Sequence, residues 1–416
     1  MGQTICEKVM SRCLGKKVYA NAEELFYPDM IIGYDYPGYI DVYHKQMVDL
    51  GIEKVEHPER GLVVIDHFNP AGSAKENEYH KKTWEFAQKF GYAVIDGKGI
   101  GHVAAAELGY VKPGMLCVHF DGHVSTLGAV GACCFGVSSA LTECWALQSI
   151  YLVVPPTLRV NFKGSLGKGV AARDVYHSLL RKIGPCGALN TMVEFGGEGL
   201  QSLNMDDRYT LCNLIMFVGA RSAICEQDAL TEAYLKKYEV TGYEFFQPDD
   251  DAQYQEVVEF DLSTVEPVLV APPSPANTVD ITEYLGRPVH VGLVGSCAAG
   301  RVTDFAQMLE ILDGRHVKEG FRLNVAPVTT AVQAEMADNG MMAKLIKAGA
   351  RMYYPSCDFC YGKLGVTLPG ETALSTGTLN VPGRMGCKDS DIFNASPYSV
   401  AAAAVTGEIT DPRTLL

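Results

Sequence analysis

The sequence predicts an α/β fold, and three observations carry that prediction. Apolar runs of strand length alternate with helical patterns, as βαβ units around a largely parallel sheet require. Forty-two glycines imply many tight turns and close backbone approaches. A length of 416 residues exceeds one ordinary core and implies two to four domains.

In chain order, "MGQTICEKVMSRCLGKK" lacks the apolar core of a signal peptide and reads as an amphipathic first helix. "GLVVIDHF" (61–68) is a strand, a helix follows near 74–90, and "YAVID" (92–96) and "MLCVHFDGH" (115–123) are further strands. "GAVGACCFGVSSALTECWALQSIYLVV" is the most apolar stretch. Ser, Thr, Glu143 and Gln148 interrupt it, so it reads as a buried, small-residue helix rather than a membrane span. "LRVNFKGSLGKGV" opens a second unit with helices around 171–183 and 206–219. The proline-rich "DLSTVEPVLVAPPSPANTV" reads as a linker. Beyond it, "VHVGLVGSCAAGR", "FRLNVAPV", "ARMYYPSCDFCYG" and "ETALSTGTLNVPGR" are apolar strands running into turns rich in Gly, Ser, Cys or Arg. The expected division is 1–155, 156–262, a linker at 263–280, and 281–416. In open α/β sheets the loops leaving the carboxyl ends of strands form the ligand site.

Composition removes several classes of function. A net charge of −14 disfavours nucleic-acid binding, which needs a basic face. "GKGIG" lacks dinucleotide-binding spacing, and no Walker lysine motif is present. Thirteen cysteines without a framework or a secretion signal argue for the reducing cytoplasm, where clustered thiols are ligands or catalysts.

Two thiols stand out, Cys357 and Cys360 in "PSCDFCYG", and Cys297 shares their strand-then-turn context in "VGLVGSCAAGR". The other ten, Cys133, Cys134 and Cys225 among them, carry no ligand spacing and read as packing. Structural zinc takes four ligands, and a redox couple needs no third thiol. An iron–sulfur cubane held by three cysteines leaves one iron open as a Lewis acid, and a smaller cluster also suits three thiolates.

Histidines supply the other half. His67 beside Asp66, His102 in "GKGIGH", and His123 two residues after Asp121 all fall in glycine-rich turns after strands. Glu194 lies in "MVEFGGEG", which reads as another strand end. A carboxylate on a ring nitrogen fixes the tautomer and raises imidazole basicity, so these groups form a proton-handling set.

Together "GSC", "CxxCYG", "DH", "GIGH", "DGH", "VEFGGEG" and "PGRMG…ASPYSVAAAAVTGEITDPR" resemble the large subunit of 3-isopropylmalate dehydratase and homoaconitase, in the aconitase superfamily. The resemblance covers essentially the whole chain. It implies three aconitase-type α/β domains around a central [4Fe-4S] cluster on Cys297, Cys357 and Cys360. It further implies carboxylate–histidine pairs Asp66–His67, Asp121 with His102, and Glu194 with His123, and a substrate-carboxylate arginine at Arg384. The family's fourth, swivelling domain, which supplies the catalytic serine, is expected as a separate small subunit, without which this chain should be nearly inactive.

The departures concentrate next to the expected site. "GSCTNSR" is here "GSCAAGR", placing Ala298, Ala299 and Gly300 where polar residues stand, and "DSH" is "DGH" with Gly122. "TSNRNFxGR" is "TGTLNVPGR", so Thr378 replaces asparagine and Leu379 an arginine that grips a carboxylate. "GYDYPG" replaces "GHDxT", with Tyr34, Asp35 and Pro37 at a substrate wall. The expectation is a hydro-lyase on a malate-type hydroxy acid other than isopropylmalate. It either isomerises its substrate through an enoic acid or acts as a one-way dehydratase of dimethylmalate, maleate or hydroxyproline type. A non-catalytic, cluster-based sensor of iron or oxidants is the alternative of a different class.

Overall fold

The computed structural model describes residues 2–35 and 38–416. Strand β1 (Glu23–Phe26) pairs antiparallel with β7 (Ile150–Val153) as a small ribbon. Between them β2 (Met30–Tyr34), β3 (Gly61–Ile65), β4 (Ala93–Asp96), β5 (Leu116–His119) and β6 (Cys133–Gly136) form an all-parallel sheet in the order β4-β3-β2-β5-β6. Residues of β3 and β5 are buried along their whole length, as parallel strands covered on both faces must be.

A second parallel sheet joins β8 (Thr157–Lys163), β9 (Met192–Gly196), β10 (Ser222–Cys225) and β11 (Glu256–Asp261) in the order β10-β9-β8-β11. The third contains β12 (Val268–Val270), β13 (Thr278–Asp280), β14 (Val291–Val294), β15 (Arg322–Val325), β16 (Arg351–Met352), β17 (Thr372–Ser375) and β18 (Asp391–Ala395). Its order is β13-β12-β18-β17-β14-β15-β16, antiparallel only on both sides of β12.

Helices begin where the sequence supplies caps. Thr4 and Glu7 form a capping box ahead of Ile5–Leu14, and Ser73 caps the helix Ala74–Phe90. One continuous apolar core runs through all three large sheets, from Ile32 and Leu62 through Val160 and Phe195 to Val294 and Leu323. Among the described residues, no helix is long and apolar enough to cross a membrane.

Two expectations fail. The apolar stretch 128–154 is not one helix but β6, the helix Leu141–Leu147 and β7, because its cysteines and β-branched residues pair into sheets. Residues 263–280 are not a free linker. Leu269 and Val270 pair with Ala395 and Asn394, and β13 closes the sheet edge, so the prolines flank short strands.

Candidate active site

Parallel strands deliver side chains at their carboxyl ends, and the first and third sheets turn those ends toward each other. From the first sheet, Asp35 follows β2, Asp66 and His67 follow β3, and Asp121 and His123 follow β5. From the third, Cys297 follows β14, Cys357 and Cys360 follow β16, and Thr378, Leu379 and Arg384 follow β17. The two groups are tied directly. The Cys357 N–H donates to the Asp66 carbonyl at 2.8 Å, and the N–H groups of Phe68 and Asn69 donate to the Asp358 carboxylate at 2.8 and 3.1 Å.

Backbone conformation sets up the thiol loops. Ser296 adopts φ 82°, a left-handed geometry uncommon for a residue with a side chain, while its hydroxyl donates to the Thr376 carbonyl at 3.2 Å. Gly362 has φ 76°, and a Cβ there would lie 2.4 Å from the Gly386 nitrogen. Glycine is therefore required where the CxxCYG turn passes the segment carrying Arg384.

Arg384 Nη2 donates to the Cys360 sulfur at 2.8 Å, and the Thr378 hydroxyl lies 3.3 Å from the same sulfur. The hydrogen bond from Cys357, then Arg384, Thr378 and the nearby His123, hold the Cys360 thiol well below its ordinary range against the effect of burial. Burial and the Cys360 charge push Cys297 up, and Asn213 hydrogen-bonds it. Cys357 is raised by its hydrogen bond to Cys360 and by burial. The thiolate form is thus favoured at Cys360 over Cys297 and Cys357.

On the facing side, His67 Nδ1 lies 2.7 Å from Asp66 Oδ1 and 3.3 Å from Asp35 Oδ1. Burial opposes the imidazolium, but Asp66 and Asp35 outweigh it and raise His67 to about 10. The ring carries its proton at neutral pH between two carboxylates. Asp121 Oδ1 meets His123 Nδ1 at 2.9 Å; burial lowers the His123 pKa, and Asp121 reverses this to a net rise. Burial keeps His102 and His119 neutral, His119 down to about 3. The Asp121 N–H donates to His119 Nδ1 at 2.8 Å, which places the His119 proton on Nε2.

Several predicted assignments change. His102 does not take Asp121; it sits in the first turn of the helix Gly101–Glu107, with its ring centroid 5.0 Å from that of His119, while Asp121 binds His123. Glu194 does not meet His123. It lies in the middle of β9, accepts from Arg159 Nη1 at 2.7 Å, from the Tyr254 hydroxyl at 2.6 Å and from the Ile5 N–H at 2.9 Å. The rings beside His123 are instead those of Phe217 and His102, with centroids 6.3 and 6.5 Å away. Asp35, predicted as a substrate contact, faces His67 and His80, the latter at 3.4 Å. Tyr34 packs its ring against His67 and His119, with centroids at 5.4 and 5.0 Å. Ala298 and Ala299 are fully buried and line a void of about 10 Å³ with Arg173 and Asp304. Leu379 is half-buried. Pro37 lies outside the described residues.

Sequence reasoning missed Arg173, Asn213, His80 and His119. Arg173 lies on the buried face of the helix Ala172–Ile183 and donates to the carbonyls of Thr376 and Gly377, the latter at 3.2 Å. Burial lowers its pKa to about 10, opposed by Asp304, Asp174 and the charges of Cys297 and Cys360. The adjacent Arg173–Asp174 pair at otherwise apolar helical spacing was the available signal.

The aconitase family (aconitate hydratase) matches residues 43–288 and 283–407. The chain belongs to the aconitase family. It is 35% identical to 3-isopropylmalate dehydratase large subunit 1 of Methanopyrus kandleri, over 100% of both chains. It is 36% identical to the 3-isopropylmalate dehydratase large subunit of Nitratiruptor sp., again over 100% of both. The large subunit 1 of Pyrococcus furiosus is 34% identical over 99% of this chain and 98% of that one. Among solved structures, Thermococcus kodakaraensis aconitase X (holo-form) gives a TM-score of 0.48 at 12% identity, over 98% of this chain and 92% of that one.

Membership in the aconitase family makes the chain a hydro-lyase and implies an iron–sulfur cluster. The site's own chemistry fits such a group. Among the described residues, His123 Nε2, Arg384 Nε and Arg173 Nε are buried without hydrogen-bond partners, and the charges of His123, Arg384 and Arg173 all act on Cys360. Donors of this kind suit a cluster whose sulfurs accept hydrogen bonds. The one described trio with ligand atoms all within 4.8 Å of one another is Asp35, Asp66 and His67, where the imidazolium partly offsets the two carboxylates.

Proposed function

We propose that the chain is the large, catalytic subunit of an iron–sulfur hydro-lyase that removes water from, or adds it to, a small malate-type hydroxy acid other than isopropylmalate. The observation that carries this reading is the direct joining of the thiol loop to the acid–base pair, through the 2.8 Å bond from the Cys357 N–H to the Asp66 carbonyl. When bound, a [4Fe-4S] cluster on Cys297, Cys357 and Cys360 supplies a Lewis-acidic iron with an open coordination position; a smaller cluster on the same thiolates is the variant to distinguish.

The residues of this chain take the other roles. His67, charged between Asp66 and Asp35, holds a proton for a departing hydroxyl. Asp121 orients His123 through Nδ1 and leaves its buried Nε2 available. Arg384 keeps Nε free of protein partners and is suited to a substrate carboxylate. A separate small subunit supplies the serine that takes the carbon-bound proton; the relatives' designation as large subunits supports this partner.

Substrate identity is argued from the altered wall. Leu379 presents no cation, and losing a charge-assisted hydrogen bond forfeits roughly 1.5–3 kcal/mol. A second carboxylate at that position is therefore disfavoured, and an apolar, amide or ring group is preferred. The alternative to isomerisation through an enoic acid is a one-way dehydratase. Of its candidate substrates the hydroxyproline type, with one carboxylate, fits the neutral wall better than the dimethylmalate or maleate types, which have two.

The test is anaerobic co-purification with the small subunit and a screen of hydroxy acids by absorbance of the enoic product. Turnover of a substrate with one carboxylate near Arg384 and a neutral distal group is expected. Leu379→Arg should add isopropylmalate turnover; unchanged preference across the panel would remove Leu379 from the account.

A further inference from the structure

A second cavity, of about 250 Å³, lies behind the thiol loop and is lined by Arg301, Tyr209, Glu107, Asp206, Lys237 and Glu335. The helices Met205–Leu214 and Val302–Leu312 both begin at its wall, so two positive helix ends face it. Asp206 already uses part of that field by accepting from the Thr303 N–H at 3.0 Å.

Arg301 is the unexplained group. It is 1% exposed, and its Nη2 donates to the Cys297 carbonyl at 2.7 Å. Its guanidinium carbon sits 4.9 Å over the Tyr209 ring. Among the described residues, its Nε and Nη1 have no hydrogen-bond partner. A buried cation with two unsatisfied nitrogens is strongly unfavourable unless an anion completes it. Among the nearby acids, Asp304 feels the Arg301 charge but accepts from its backbone N–H, at 2.9 Å, and leaves the two guanidinium nitrogens unpartnered. Lys237 pairs with Glu335 at 2.7 Å on the rim, and Glu107 accepts from the Thr329 hydroxyl at 3.1 Å. Burial raises Glu107 to about 7, which reduces the charge it offers Arg301. The remaining wall includes Val103, Met205 and Val332, which suit a short apolar body.

We infer that this cavity is a second ligand site, distinct from the candidate active site, which takes a small monocarboxylate with its carboxylate on Arg301 and its apolar tail against Val103, Met205 and Val332. Occupancy reaches the thiol loop through the Arg301–Cys297 hydrogen bond. The inference does not depend on the proposed substrate.

Calorimetric titration of the anaerobically prepared protein with butyrate tests it. Wild type and Arg384→Gln should bind one equivalent alike. Arg301→Gln should weaken binding about 10- to 100-fold, the loss of a charge-assisted hydrogen bond. Glu335→Trp fills the cavity mouth from a half-exposed rim position where little stability is at stake, and should weaken binding as much. No binding to wild type, loss in Arg384→Gln, or undiminished binding in either Arg301→Gln or Glu335→Trp overturns the inference.

Discussion

Asp66 and Glu194 are both buried carboxylates on fully parallel sheets, and both read from sequence as members of a proton-handling set. Asp66 stands one residue beyond the end of β3, touches His67 and accepts from the Gly101 N–H at 2.9 Å. Glu194 stands third of the five residues of β9, held by Arg159, Tyr254 and the first helix. One carboxylate keeps a histidine charged at the meeting point of two sheets; the other anchors the N-terminus to the second sheet. Position along the strand and the titratability of the partner separate them, since an arginine holds its proton at every working pH.

Substitution sharpens that contrast. Asp66→Asn removes the charge that holds the His67 proton and should lower turnover roughly 10²–10⁴-fold. Glu194→Gln should leave turnover of the folded enzyme within a few-fold. Its cost should appear in denaturant midpoint as roughly 2–3 kcal/mol, below the ~3–5 of a fully broken buried pair because Glu226 still holds Arg159. Equal losses of turnover in both variants would abolish the distinction.

A pH profile tests the same pair without substitution. His67 is held at about 10 in the fold, against about 6.5 unfolded, so the folded state binds this proton more tightly. The stability it contributes is fully present below about pH 6.5 and is lost as pH rises toward about 10. Unfolding measured across that window should show a decline that Asp35→Asn reduces and Glu194→Gln does not. The smallest effect belongs to Thr378→Val, which removes one hydroxyl from Cys360 and should cost about 0.5–1.5 kcal/mol in thermal stability.

Much of this site was legible because its groups are local in sequence. Asp66 and His67 are consecutive, Asp121 precedes His123 by two residues, and Cys357 and Cys360 share one turn. The first two pairs each follow an apolar run that forms a strand buried along its length, whereas the strand before Cys357 is only Arg351–Met352 and is not buried. Glu194 misled because "VEFGG" places glycine after the strand without showing that the strand continues to Gly196. Its partners are 35, 60 and 189 residues away, and no short-range pattern announces them. Arg173 and Asn213 were hidden for a related reason: their helices carry other polar residues, Asp174 and His177 on one and Asp207 and Arg208 on the other, and nothing local marks the one that reaches the thiols. Residues 263–280 looked unstructured because strands of three residues show too little alternation to be read.

The central claim is that Cys297, Cys357 and Cys360 together hold an iron–sulfur cluster beside the Asp66–His67 pair. Iron and acid-labile sulfide should be counted in anaerobically purified wild type, Cys360→Ser and, as a packing control, Cys133→Ser, whose thiol is fully buried away from the loop. The account predicts matching iron and sulfide in wild type and Cys133→Ser, and their loss in Cys360→Ser. Iron and sulfide missing from wild type, or retained in full by Cys360→Ser, would contradict it.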